Sequence, residues 1–341
     1  MRAVCFVAPA LLWRDLGFLM AWAVAFSALR LVAALVLLKR EFGSDFRLDR
    51  GVVPAQLAYA APFALYVLVE ILQATYHQYA VSWTFDAATF AIYSVGCFQV
   101  PLVDFLATPA SSVMMVRMAE ELREQRPAEA LAIWIDITRK LALIFFPLVA
   151  FLMIASRDII TFLFTNAYAA SAPIFAVWVS TIALSVIQTD GVMRVYAQVP
   201  FLFKANLVRL ALVVLLVTPS MAVLGLYGPV LVTLLAMAVA KSLHLVRMRR
   251  LMAIRAAQLL PWRSLAGTVA VSAASVIPAM AARTLVSGPA VVTLAAEATA
   301  FALTYLALAL FFGLIDANER ASLTHAFRLS PSRPLAAGVT E

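Results

Sequence analysis

Charge is scarce in this chain. Asp, Glu, Lys and Arg together make up 13% of its 341 residues, whereas 64% are hydrophobic and the mean hydropathy is +0.95. Values of that kind lie outside the range of soluble globular domains. Cysteine is nearly absent: Cys5 and Cys97 offer no disulfide framework, and Cys97 falls inside an apolar run, where a free thiol behaves as a small hydrophobe. Histidine is equally sparse. His77, His244 and His325 lie far apart, near the ends of apolar runs or in the tail, so neither a metal-ligand cluster nor a deep intramembrane histidine base is expected. A phosphate-cradling glycine loop and a nucleophile elbow are both missing from the sequence. No cofactor, no metal and no enzymatic chemistry are therefore expected.

What the chain does have is long apolar runs, each able to cross about 30 Å of hydrocarbon as a helix. Inside lipid no water satisfies backbone groups, so the runs must be helices, and a barrel would show short alternating segments instead. The expected fold is an all-α polytopic membrane helix bundle. About nine spans are read at 16–38, 53–75, 87–109, 141–156, 170–190, 205–224, 226–246, 264–284 and 289–314. The opening "MRAVCFVAPALLWRD" has a short apolar run after Arg2 but no clear cleavage pattern, and reads as an incomplete segment rather than a signal peptide.

Basic residues alternate along the connections. Lys39, Arg40, Arg47 and Arg50 follow the first span, and "YHQYAVSWTFD" after the second has none. Arg117, Arg123, Arg126, Arg139 and Lys140 come next, then a loop with only Arg157, then Arg194, Lys204 and Arg209. The bare "TPSMAVLGLYG" precedes Lys241, Arg247, Arg249, Arg250, Arg255 and Arg263; Arg283 stands alone, and the tail brings Arg320, Arg328 and Arg333. By the positive-inside rule this pattern predicts an N-terminus outside and a C-terminus in the cytosol. The net charge of +8 is then topology rather than a sign of nucleic-acid binding. The charge-dense stretch 116–147 becomes cytoplasmic. Pro127 suits a first helical turn, Glu129 complements the helix dipole and Asp136 with Lys140 forms an i,i+4 pair. Leu131, Trp134, Ile135, Thr138 and Leu141 share one side, which predicts a piece running along or just beneath the inner surface before it rises into the fourth span.

Polar groups at bilayer depth are costly unless they meet a partner or a wet cavity, so they mark candidate sites. Tyr59, Tyr66, Glu70, Gln73 and His77 recur with Pro62 at helical spacing in the second span, and Tyr93, Cys97, Asp104, Thr108 and Ser111 form a line in the third. Two such stripes suggest a wetted cavity. Glu70 and Asp104 also lie near helix ends, where the headgroups are their other destination. Arg30 sits roughly 13 Å from the inner basic loop, which leaves it either snorkelling to the interface or facing a cavity. Trp178, Thr181, Ser185 and Gln188 form a weaker stripe of the kind that ties helices together. Glu297 is a further buried-carboxylate candidate, in the last span.

The run "FAIYSVGCFQVPLVDFLATPASSVMMVRMAEE" resembles the region around the eighth helix of oligosaccharide flippases. "PLVAFLMIASRDIITFLFTNAYAASAPIFAV" is similar to that family's proline-containing helix, outer amphipathic piece and following "APIF". Together they resemble the lipid-linked polysaccharide (O-antigen type) flippases of the multidrug/oligosaccharidyl-lipid/polysaccharide exporter superfamily, over roughly 15–250. The resemblance implies two six-helix lobes around a cavity that opens alternately to each side, moving an undecaprenyl-diphosphate-linked oligosaccharide to the outer leaflet of a bacterial inner membrane. It makes 1–40 the remnant of a first lobe whose last helix is 16–38, 53–246 the six-helix second lobe, 264–314 an accessory pair and 315–341 a cytoplasmic tail. Five helices of the family pattern have no counterpart, which implies a fragment, a mis-assigned start or a half-transporter seeking a partner.

On this reading the bilayer and the lipid-linked oligosaccharide are the partners, with other polysaccharide assembly proteins as further ones and no nucleic acid. Arg30 is the expected contact of the diphosphate. Tyr59, Tyr66 and Tyr93 suit sugar stacking, while Glu70, Gln73 and Asp104 suit sugar hydroxyls or a coupling cation. An exporter of drugs or other lipid intermediates is the nearest alternative, with a membrane enzyme or inactive remnant behind it. Outer connections of roughly a dozen residues argue against an enzyme that must hold sugars outside the bilayer.

Overall fold

The computed structural model describes residues 15–43, 51–286, 288 and 290–315. The opening segment, the tail beyond Ile315 and the side chains of Tyr59 and Pro62 lie outside the described residues. The described chain is helical almost throughout and contains no strand among those residues. It divides into two units, Met1–Ala64 and Leu65–Glu341.

The first unit holds helix α1 (Leu16–Phe42), opened by Asp15, whose carboxylate accepts the Gly17 amide at 2.9 Å, and closed on Lys39 and Arg40. These charges sit where the helix dipole favours a cation. Helix α2 (Val52–Thr84) begins in this unit and runs on into the second. At 1.5 Å per residue its 33 residues extend about 50 Å, more than a bilayer core requires.

The second unit continues with α3 (Ala87–Gly96), α4 (Pro101–Arg123), α5 (Pro127–Ile154) and α6 (Ser156–Phe164). A 3-10 turn then leads to α7 (Ala172–Trp178), α8 (Ser180–Ser185) and α9 (Thr189–Val195). It closes with α10 (Val199–Leu224), α11 (Tyr227–Met252), the single turn α12 (Ala256–Leu259), α13 (Trp262–Leu285) and α14 (Ala290–Phe311). Eight helical stretches among the described residues are long and apolar enough to cross a membrane. The hairpins α4–α5, α10–α11 and α13–α14 are the closest packed neighbours, and α13 lies against α5.

Three expectations about span boundaries differ from the structure. The span 87–109 is broken: α3 stops at Gly96, the backbone is extended at Val100 (φ −84°, ψ 108°), and α4 starts at Pro101. Proline excludes the helical region for its predecessor and lacks the N–H a continuing helix needs. Gly96 adds a packing reason, since a Cβ there would stand 2.6 Å from the Ile174 side chain of α7. The N-terminus of α3 is held by Asp86, which accepts from the Thr89 hydroxyl and from the Ala88 amide at 3.2 Å. Those bonds hold its carboxyl below the usual range.

The span 170–190 is likewise three short helices. Its expected helix-tying hydroxyls turn back onto their own chain: Thr181 donates to the Trp178 carbonyl at 2.8 Å and Ser185 to the Thr181 carbonyl at 3.3 Å. Side-chain bonds of this kind compete with the helix ladder and satisfy carbonyls where it is interrupted.

The charge-dense stretch is a helical hairpin rather than a separate surface helix. α4 carries its charges outward, the chain reverses through Gln125 (φ 58°), and α5 runs unbroken to Ile154. At the reversal Arg126 bridges Glu121 at 2.7 Å and Glu124 at 2.5 Å, and the Glu121 hydrogen bond raises its pKa above the arginine norm. Lys140 and Arg139 both reach Asp136, at 2.6 and 3.5 Å. On the other side of α5, Trp134 is fully buried and its indole N–H donates to the Leu259 carbonyl at 2.8 Å. The stretch thus pins α5 to the turn after α11.

Candidate functional site

The i, i+4, i+7, i+11 pattern of Tyr66, Glu70, Gln73 and His77 puts these side chains on one face of α2, and the structure turns that face toward the interior of the second unit. Tyr66 donates to Glu70 Oε1 at 3.3 Å, and the Arg194 guanidinium of α9 lies over the Tyr66 ring at 5.8 Å. Gln73 is 1% exposed and its Oε1 has no partner. One turn further, His77 is equally buried, its Nδ1 2.7 Å from the Tyr93 hydroxyl of α3 and its ring 5.3 Å from that of Trp178. The aromatic and imidazole groups form a closed, hydrogen-bonded wall.

Beside this wall is a partly open cavity of about 200 Å³ lined by Ala74, the Gln99 break, Asp104, Trp178, Arg209 and Thr233. The α3–α4 break contributes Phe98, Gln99 and Val100 to its lining. Arg209 Nε is buried with no hydrogen-bond partner, and so is Asn206 Nδ2, one turn earlier on α10. Glu70 and Asp190 are the acids whose fields reach Arg209. At the α9 end, Asp190 draws Lys241 (3.4 Å) and His244 (Nδ1, 3.2 Å) of α11 together, and the Thr189 hydroxyl lies 3.1 Å from the same His244 nitrogen. Arg247 donates twice to Gln198 Oε1, at 2.7 and 3.1 Å. No group of three or more His, Cys, Asp and Glu with metal-binding proximity occurs among the described residues.

Of the residues singled out in the sequence, Tyr66, Glu70 and Gln73 lie together on α2, Tyr93 joins them through His77, and Asp104 lines the cavity while remaining exposed. Arg30 is exposed on α1, within the first unit. Arg209, Asn206 and the Asp190–Lys241–His244 group were not singled out. The sequence pattern puts Arg209 in an inner connection, since the sixth span is expected from 205. Pro200, in the first turn of α10, is the signal that moves the start to Val199 and puts Arg209 about 15 Å inside the helix. Lys241 lies in the same way within α11, not in the connection after it.

Residues 4–173 match the family model described as polysaccharide biosynthesis protein. Comparison with curated proteins gives no sequence match. Among solved structures the fold is similar to "Lipid II flippase MurJ, inward closed conformation", with a TM-score of 0.69 and 14% identity over 87% of this chain and 60% of that one. The likeness to that solved flippase is one of fold. The resemblance to the multidrug/oligosaccharidyl-lipid/polysaccharide exporters is thereby borne out, and the chain spans 60% of the length of the flippase it matches. Within the flippase fold, the buried polar face of α2 and its cavity lie inside a single helical unit.

Proposed function

We propose that this chain is a component of a membrane flippase that moves an undecaprenyl-diphosphate-linked oligosaccharide from the cytoplasmic to the outer leaflet, in the service of surface polysaccharide synthesis. Residues 53–246 act as the six-helix second lobe, 264–314 as an accessory pair, and 1–40 as the end of a first lobe. The chain sits in a bacterial inner membrane with its N-terminus out and C-terminus in, and it carries out translocation rather than chemistry.

The observation that carries this reading is the polar interior of a lobe that shares a flippase's fold: a helix face of Tyr66, Glu70, Gln73 and His77, with Arg209 and Asp104 facing a cavity. A sugar diphosphate crosses hydrocarbon only where polar contacts replace its water. The cavity, at about 200 Å³, is below the roughly 300–1,000 Å³ of pockets that enclose a drug-sized ligand. It suits water and side-chain rearrangement, so the oligosaccharide is assigned to the partly exposed flank of α2 at Tyr66 and Glu70; Arg30, in the first unit, is a separate candidate for the diphosphate.

The test is complementation of a strain lacking its own flippase, scored by surface polysaccharide. Arg30→Ala, Tyr66→Ala and Glu70→Ala are expected to lower it at unchanged protein level in the membrane. Full complementation by all three would reject the site. Altered drug tolerance with unchanged surface polysaccharide would replace the substrate with an exported drug.

A further inference from the structure

Glu297 is the least accommodated group among the described residues. It is 1% exposed, and neither carboxylate oxygen has a hydrogen-bond partner. It is the eighth residue of α14, about 10 Å along the axis from the first. Phe301 and Tyr305 follow it on the same face at i+4 and i+8, and that face is turned onto α5: the Phe301 ring lies tilted against Phe151 with centroids 5.6 Å apart, and the Tyr305 hydroxyl donates to the Leu143 carbonyl at 2.7 Å. The two contacts make the helices antiparallel: α5 runs from Leu143 to Phe151 as α14 runs back from Tyr305 to Phe301. One further turn brings Glu297 to the junction where α5 hands over to α6. α14 packs against α6 there.

At that junction Asp158 of α6 is already paired with Arg283, near the end of α13, at 2.9 Å. These two are the charged groups whose fields reach Glu297. The remaining faces are apolar or neutral: α5 contributes Phe151 and Leu143, α14 itself contributes Phe301 and Tyr305, and Arg157 beside Asp158 is exposed. Two acids therefore compete for one base. An unpartnered ionised carboxylate at that depth is costly, and in this conformation Arg283 is bonded to Asp158 and not to Glu297.

We propose that Asp158, Arg283 and Glu297 form a proton-binding site that joins the α13–α14 pair to α6. In the conformation seen, Arg283 serves Asp158 and the single proton resides on Glu297. If Arg283 turns to Glu297, that proton passes to Asp158 or leaves to solvent, so proton occupancy decides which helix the arginine ties. The site is independent of which lipid is moved.

The test is infrared spectroscopy of the purified full chain in lipid nanodiscs at neutral pH, following the carboxylic-acid carbonyl stretch in sodium chloride and in choline chloride. The expected result is a carboxylic-acid band in both salts that is lost in Glu297→Gln and kept in the exposed control Glu120→Gln. Asp158→Asn, which releases Arg283 to ionise Glu297, is expected to abolish the band as well, and it tests the exchange even if Glu297→Gln fails to fold. No band in the unmodified protein, or a band unchanged in Glu297→Gln or in Asp158→Asn, overturns the proposal. A band seen in choline but absent in sodium overturns it in favour of a metal cation.

Discussion

Replacing Tyr93 with Phe removes one oxygen atom and leaves the ring, so it isolates the bond across which α3 is held to α2. Both partners are buried, with Tyr93 0% and His77 1% exposed, and the two side chains meet at 2.7 Å. Deleting the hydroxyl takes the Tyr93 partner from His77 Nδ1 in a buried space bordered by Trp178. A buried polar group orphaned in this way costs about 1–3 kcal/mol in soluble proteins. In membrane bundles measured pair terms are smaller, about 0.6 on average and up to about 1.7 kcal/mol, because the unfolded chain in lipid also finds partners. The lower range is the better guide for a residue on a membrane helix, and about 1 kcal/mol is expected.

Detergent unfolding of the purified chain, with Tyr93→Phe, His77→Phe and the double variant, gives the coupling directly. The double variant is expected to lose about 1 kcal/mol less than the sum of the two single losses. Strict additivity would show that the pair is a packing coincidence and would remove the hydrogen-bonded wall from the description of the site.

Other positions give independent tests. Gly96→Ala places a Cβ 2.6 Å from Ile174, and overpacking of this kind costs about 1–3 kcal/mol, which Ile174→Ala should largely restore in the double variant when thermal stability is compared. Trp134→Phe strands the buried Leu259 carbonyl and leaves a void, with an expected loss of about 2 kcal/mol or more by the same unfolding measurement. Asp86 has its carboxyl lowered by the Thr89 and Ala88 bonds. Its contribution is therefore complete above the unfolded carboxylate range of about pH 4 and fades as pH falls through the lower folded value. Asp86→Asn should flatten that part of the stability–pH curve, and an unchanged curve would discount the cap.

The boundaries of the helices show how far local pattern reaches. That the chain lives in a bilayer as a helical bundle follows from run length and composition alone, because hydrocarbon thickness and the need to satisfy every backbone group act on each segment separately. The shared face of Tyr66, Glu70, Gln73 and His77 was legible for the same reason: helical periodicity is a property of neighbours three and four apart. Pro101 and Pro200 mark the α3–α4 break and the start of α10, but apolar residues continue across both, so run length alone puts Arg209 in a connection.

Tertiary structure alone decided which polar groups meet. Trp134 finds a carbonyl 125 positions away, and Arg283 finds Asp158 rather than Glu297 on its own hairpin. No periodicity encodes such pairings, since they depend on how whole helices cross. In a medium without water, that crossing determines whether a buried charge is satisfied, lines a cavity or is left to take up a proton.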